Sequence, residues 1–217
     1  MKKDERAKII IKRLEEIYPE TPIPLEHQNG FTLLVAVVLS AQSTDKKVNE
    51  LTKELFKLAP SADKMYKLGE HKIYNHIKQL GLAKTKAKNI FNLSKIIHEK
   101  FNNLVPNSFN DLESLPGVGH KTASVVMSQV FGVPSFPVDT HIHRLSQRWG
   151  LTSGKNVIQT EKDLKRIFPK NLWNKLHLQI IFYGREYCSA RGCNGKVCNL
   201  CKELYPNRKK AIICIKA

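Results

Sequence analysis

Apolar positions recur every three or four residues along most of this chain, and each such run predicts a helix. Ile9, Ile10, Leu14 and Ile17 are spaced by Lys and Glu, which predicts an amphipathic helix over about residues 4–18. Pro19, Pro22 and Pro24 break it. Phe31 to Ala41 is mostly apolar and reads as a largely buried helix; its valines would also suit a strand, but its neighbours are helical. Lys46–Leu58 and Ala62–Leu68 follow as amphipathic helices, and Ile73–Leu80 stops at Gly81. Lys84–Phe101 is long, basic on one side and apolar at Ile90, Leu93, Ile96 and Ile97. Ser108 and Asp111 have capping-box spacing and open a short helix to Leu115. Pro116 and Gly117 end it, and the next helix spans His120–Phe131. Helices over Ile142–Trp149, Val157–Phe168 and Leu172–Tyr187 complete the pattern. No alternating strand pattern persists and no repeat is present, so the expected class is all-α.

Charge narrows the choice of partner. The 217 residues carry 36 Lys+Arg against 19 Asp+Glu, a formal net charge of +17. A surface that positive attracts polyanions, with nucleic acid first and an acidic membrane surface second. No apolar run is long enough to span a bilayer, and the N-terminus has no apolar signal-peptide core, so the expectation is a cytoplasmic protein. All five cysteines lie at or after Cys188. An odd, clustered set in such a protein points to metal or cluster binding rather than a disulfide framework.

The turn at Leu115-Pro116-Gly117-Val118-Gly119 carries the first candidate chemistry. Two glycines flank one small apolar residue. Glycine lets a phosphate approach the backbone closely, and the helix that follows presents free N–H groups and a positive dipole end to it. Such a contact positions DNA without reading its sequence. A nucleotide-binding loop is excluded, because His120 separates Gly119 from Lys121 and the preceding segment is helical. Lys121 falls in the first turn of the second helix, where the dipole, and burial if present, favour the neutral amine that can attack carbon. Asp139 follows Pro137 at the start of a helix, a position that suits a charged carboxylate and also an ordinary N-cap. His141 and His143 project to different faces, which excludes a two-histidine metal site.

Four segments in order resemble the endonuclease III family of helix-hairpin-helix DNA glycosylases and AP lyases. They are Leu39-Ser40-Ala41-Gln42-Ser43-Thr44-Asp45; Gly81-Leu82 with the basic helix after it; Leu115 to Ala123 with its lysine; and Val138-Asp139-Thr140-His141-Ile142. The eighteen positions from Lys121 to Asp139 (139 − 121) also fit. The resemblance implies an enzyme of base excision repair that removes oxidised or damaged pyrimidines from duplex DNA and then nicks the strand. In it Lys121 attacks the sugar C1′ and forms a Schiff base that permits β-elimination. Asp139 accepts a proton or stabilises the cationic sugar. The damaged nucleotide leaves the stack, Gln42 pairs with the orphaned base and Leu82 wedges the stack. Lys84, Lys86 and Lys88 contact phosphates, as do the hairpin residues Leu115, Pro116, Gly117, Val118, Gly119 and Thr122, and His141 orders the site or contacts DNA.

The resemblance also implies a [4Fe-4S] cluster, though the cysteines here depart from the family's Cys-x6-Cys-x2-Cys-x5-Cys. Cys188, Cys193, Cys198 and Cys201 are separated by four, four and two residues. Four close thiolates also suit zinc, or a loop that holds no metal, and Cys214 is an alternative to Cys193 as a ligand. The basic residues Lys196, Lys202, Arg208, Lys209 and Lys210 around this loop can contact phosphates in any case. Two helical domains with a DNA-binding cleft are expected: residues 22–132, containing six helices and the hairpin, and residues 1–21 with 133–217. The expected partner is damaged or abasic double-stranded DNA of a bacterial-type chromosome, bound by a monomer. Two other functions compete. A monofunctional glycosylase acting on mispaired adenine generally lacks the lysine, and a module that only binds DNA needs neither Lys121 nor Asp139.

Overall fold

A computed structural model describes all 217 residues. It is helical with no strand, and it divides into two compact units. One is residues 23–133; the other joins residues 1–22 to residues 134–217.

The 23–133 unit is organised around its most apolar helix. The N-terminal helix α1 (Lys3–Ile17) belongs to the other unit, so this one begins with α2 (Gly30–Ser40). Every residue of α2 from Phe31 to Leu39 is buried. A segment apolar on all sides is stable only when covered on all sides. Helices α3 (Asp45–Leu58), α6 (Ala83–Lys100) and α8 (His120–Phe131) supply that cover. Asn29 fixes where α2 starts: its side chain accepts from Thr32 N at 2.9 Å, while Thr32 Oγ1 accepts from Asn29 N at 3.0 Å. Helices α4 (Ala62–Leu68) and α5 (Glu70–Ile77) pack on α6. Helix α5 ends at Ile77, earlier than Leu80; the chain then turns through residues 78–82 before α6. The short α7 (Phe109–Glu113) starts where the capping pattern places it, with Ser108 Oγ accepting from Asp111 N at 3.1 Å.

The second unit gathers both ends of the chain. Helix α1 turns Ile10 and Leu14 into a core that contains Phe136, Trp149, Leu164 and Phe168. Helices α9 (Thr140–Arg148), α10 (Val157–Ile167) and α11 (Trp173–Glu186) form the rest, with one 3-10 turn at Lys170–Leu172. The Arg6 guanidinium ties α1 to the following chain by donating to the Gly150 carbonyl at 2.8 Å. Arg13 makes two bonds to Glu203 at 2.8 and 3.1 Å, but the pair is exposed and adds little to stability. A further helix, α12 (Asn199–Leu204), lies inside the cysteine-rich segment. The periodicity does not reveal it, because it is only six residues long and Cys201 stands among its buried positions. No helix is long and apolar enough to cross a membrane.

Candidate active site and metal centre

The hairpin joins α7 to α8 through a tight turn in which Val118 N donates to the Leu115 carbonyl at 3.0 Å. Leu115 and Val118 are buried in the core of their unit, so only their backbone is available to a ligand. The two glycines have different reasons to be there. Gly117 has φ +80°, and a Cβ on it would meet the Asn89 amide of α6 at 2.8 Å. Gly119 has an ordinary extended backbone and open space where a Cβ would stand. It is the N-cap of α8 and has no side chain with which to cap the first-turn N–H groups. The protein itself thus requires glycine at 117 but not at 119. Gly117→Ala is expected to lower stability by about 1 kcal/mol or more from the left-handed backbone alone. Gly119→Ala should leave urea unfolding unchanged yet weaken duplex binding about tenfold, the cost of losing a backbone contact to a charged phosphate. Fluorescence anisotropy that finds equal affinity for wild type and Gly119→Ala would remove the hairpin from the DNA contact.

Lys121 occupies the second position of α8 and its side chain is exposed; Gly119 is exposed too, and Thr122 is half-buried. Burial of the amine, one of the two effects anticipated above, is therefore absent in the chain itself. His120, beside it, turns back across the hairpin: its Nδ1 lies 2.8 Å from Glu113 Oε1 and its ring stacks on Phe109.

The turns before α3 and α6 carry the other DNA candidates of this unit. Gln42 and Leu82 are both exposed, Leu82 to 59%, and both have left-handed backbones, φ +54° and +58°. Lys84 and Lys88 are exposed on α6. Lys86 is not the phosphate contact that its place in the basic run implies. It is 4% exposed, and its Nζ donates to the carbonyls of Leu39 and Ala41 and to Ser43 Oγ at 3.0, 2.7 and 2.9 Å. The helical period turns position 86 inward with Ala83, Ala87 and Ile90.

In the other unit Asp139 is half-buried at the N-cap of α9, where its Oδ1 accepts from Ile142 N at 2.8 Å. That bond satisfies one first-turn N–H of the helix. His141 and His143 do face opposite ways. Burial pushes the His141 imidazole down; Asp139 opposes that shift, while Arg144 and Arg185 add to it. Its Nδ1 accepts from Arg144 at 3.2 Å. Burial also lowers His143, whose Nδ1 lies 2.8 Å from Thr160 Oγ1.

The cysteines form the second constellation. Cys188, Cys193, Cys198 and Cys201 are all buried, and their sulfur atoms lie within 4.8 Å of one another although no disulfide links them. Hydrogen bonds from Cys188 and Cys201 pull the Cys198 thiol down. A buried set of four thiols and no carboxylate or imidazole is a soft donor set and fits a [4Fe-4S] cluster. Cys193 is the fourth member; Cys214 stands apart, its Sγ 3.6 Å from the Arg144 carbonyl. Two arginines unnoticed in the sequence hold this loop. Arg148 donates to Cys188 Sγ at 3.2 Å and to the carbonyls of Ser189 and Ala190 at 2.8 and 3.0 Å. Arg144 donates to the carbonyls of Gly184 and Cys188, both at 3.1 Å. Only their four-residue spacing on α9 hints at a shared target.

Residues 35–170 match the family described as HhH-GPD superfamily base excision DNA repair protein. The chain belongs to that superfamily, in its endonuclease III branch. Endonuclease III of Bacillus subtilis is 39% identical over 213 residues, which cover 96% of this chain and 97% of the relative. That of Treponema pallidum is 43% identical over 182 residues, 84% of this chain and 86% of the relative. Among solved structures, a non-covalent endonuclease III–DNA complex superposes with a TM-score of 0.86 at 36% identity, covering 94% of this chain and 98% of the other. A trapped covalent endonuclease III–DNA intermediate gives 0.85 at 37% identity, covering 94% and 99%.

Proposed function

We propose that this chain is a base-excision repair enzyme: a bifunctional DNA glycosylase and AP lyase that acts on oxidised or damaged pyrimidines in duplex DNA. The observation that carries the reading is an exposed amine, Lys121, on the first turn of a helix whose N-cap glycine leaves its backbone open to a phosphate. The hairpin amides hold the phosphodiester while Gln42 and Leu82 enter the space left by the extruded nucleotide. Bound DNA excludes water from Lys121, which its own chain does not do.

The neutral Lys121 amine attacks C1′; the C1′–N bond breaks, and the base departs with the bonding pair and takes up a proton. Loss of a proton from nitrogen and opening of the sugar give the Schiff base. Its positive nitrogen draws electrons from C2′, a C2′ proton is removed, and the C3′–O bond breaks with the phosphate as leaving group. Hydrolysis then frees Lys121. Asp139, the N-cap of α9, takes the proton from Lys121 or stabilises the cationic sugar. The reading assigns the amine to the 22–132 domain and the carboxylate to the domain built from residues 1–21 and 133–217. Cys188, Cys193, Cys198 and Cys201 would hold the cluster, which would cross-link the loop that carries the basic residues. The enzyme works as a monomer in the cytoplasm, where a bacterial-type chromosome lies.

Incubation with duplex containing an abasic site or an oxidised pyrimidine, followed by borohydride, tests the reading. A lyase is trapped covalently on its DNA. Absence of an adduct on any damaged duplex would exclude the lyase assignment and leave a DNA-binding module or a monofunctional glycosylase.

A further inference from the structure

Two residues on neighbouring turns, neither of them glycine, hold left-handed backbones: Gln42 and Leu82. Each such conformation is sterically costly for a residue with a Cβ and persists only where the surroundings impose it. One side chain bonds to the chain on both sides of Gln42. Lys86 is almost completely buried, yet its ammonium has no carboxylate among its three acceptors, which are the carbonyls of Leu39 and Ala41 and the hydroxyl of Ser43. Those three acceptors use all three of its protons. Burial lowers its pKa, so the charge is kept there at a cost. A hydrocarbon side chain would fill the same space without that cost.

The acceptors show what the charge does. The Leu39 and Ala41 carbonyls are at the C-terminal end of α2, where helix carbonyls lack partners and carry partial negative charge. Ala41 and Ser43 flank Gln42, so the ammonium pins the chain on both sides of it. On its own helix, Lys86 N donates to the Leu82 carbonyl at 2.9 Å, which places Lys86 one turn from Leu82. The two turns also abut: a Cβ on Gly81 would be in ordinary contact with the Gln42 carbonyl at 3.8 Å. The Lys86 side chain thus joins the turn of Gln42 to the first turn of α6, whose N-cap is Leu82.

We propose that Lys86 is a positioning residue that fixes the spacing of Gln42 and Leu82, so that the two enter the duplex as one unit and the target nucleotide is extruded. The proposal rests on the reading that Gln42 and Leu82 fill the vacated stack. An abasic site in a single strand needs no extrusion and leaves no hole, whereas one in a duplex needs both filled. The measurement is therefore the ratio of duplex to single-strand nicking rates at saturating DNA.

Lys86→Met should lower that ratio about tenfold or more, with the loss in kcat rather than KM, since extrusion follows binding. Gln42→Ala and Leu82→Ala should lower it too, and Lys86→Met combined with Gln42→Ala should be no worse than the weaker single variant to within about twofold, because the lysine acts through that turn. Ser43→Ala removes one acceptor at a half-buried position; it should move the ratio in the same direction and serves if Lys86→Met does not fold. Equal losses on both substrates would mean a merely structural lysine and would overturn the proposal. So would additive losses in the double variant, or no change in Lys86→Met and Ser43→Ala while Gln42→Ala and Leu82→Ala lower the ratio. Unchanged ratios in Gln42→Ala and Leu82→Ala would remove the insertion reading and the proposal together.

Discussion

Lys121→Gln is expected to abolish the borohydride-trapped adduct and to cut strand nicking by on the order of 10^4-fold or more, the scale on which removal of a covalent nucleophile acts. The substitution is clean for a structural reason. The Lys121 side chain is exposed and belongs to neither core, so stability should change by no more than about 0.5 kcal/mol. The hairpin backbone that contacts the phosphate is untouched, so affinity for abasic duplex should fall only by the loss of one positive charge. Its salt dependence should flatten by roughly one counterion. Trapping, anisotropy across a salt series and urea unfolding on the same preparation check the three parts. A Lys121→Gln variant that still traps on abasic DNA would move the nucleophile elsewhere. One that neither traps nor binds would make Lys121 a phosphate contact instead.

The second large effect concerns the cysteines. Wild type purified without oxygen should be brown and contain about four irons per chain, as a Cys₄ cluster requires. Cys198→Ser should lose that iron and lower the melting temperature by about 10 °C or more, because binding free energy of a structural metal is also folding free energy. The damage should be local. The four sulfurs belong to the core of the unit formed by residues 1–22 and 134–217, and the core around α2 contains none of them. Limited proteolysis should therefore cut residues 189–197 first and leave 23–133 protected. Cys214→Ser should keep its iron, since Cys214 is not among the four close sulfurs. Loss of iron from Cys214→Ser with retention in Cys193→Ser would exchange the two ligands. Colourless, iron-free wild type would reject the cluster.

Much of this was legible one residue at a time, and the exceptions share a cause. Helix positions follow from a 3.6-residue period and local caps, both of which are properties of neighbouring residues. Thus Ala62–Leu68 and His120–Phe131 have the ends that the pattern predicts, and Asp139 caps α9 where Pro137 implies. Lys86 departs from its local pattern, since a lysine in a basic run is normally solvated. What reverses this is the end of α2, more than forty residues away in sequence, which offers carbonyls with no other partner. Helix α12 is not legible in the periodicity, because its register depends on cysteines facing a common point rather than on an apolar stripe.

The sequence by itself determined the all-α class, the hairpin, the lysine and aspartate at helix starts, and the number of thiols, because each is set by local spacing and residue chemistry. Only the tertiary structure decided which lysine is buried, which of the two glycines the protein itself needs, and which four of five cysteines converge. Those are distances between segments remote in sequence, and local periodicity carries no information about them.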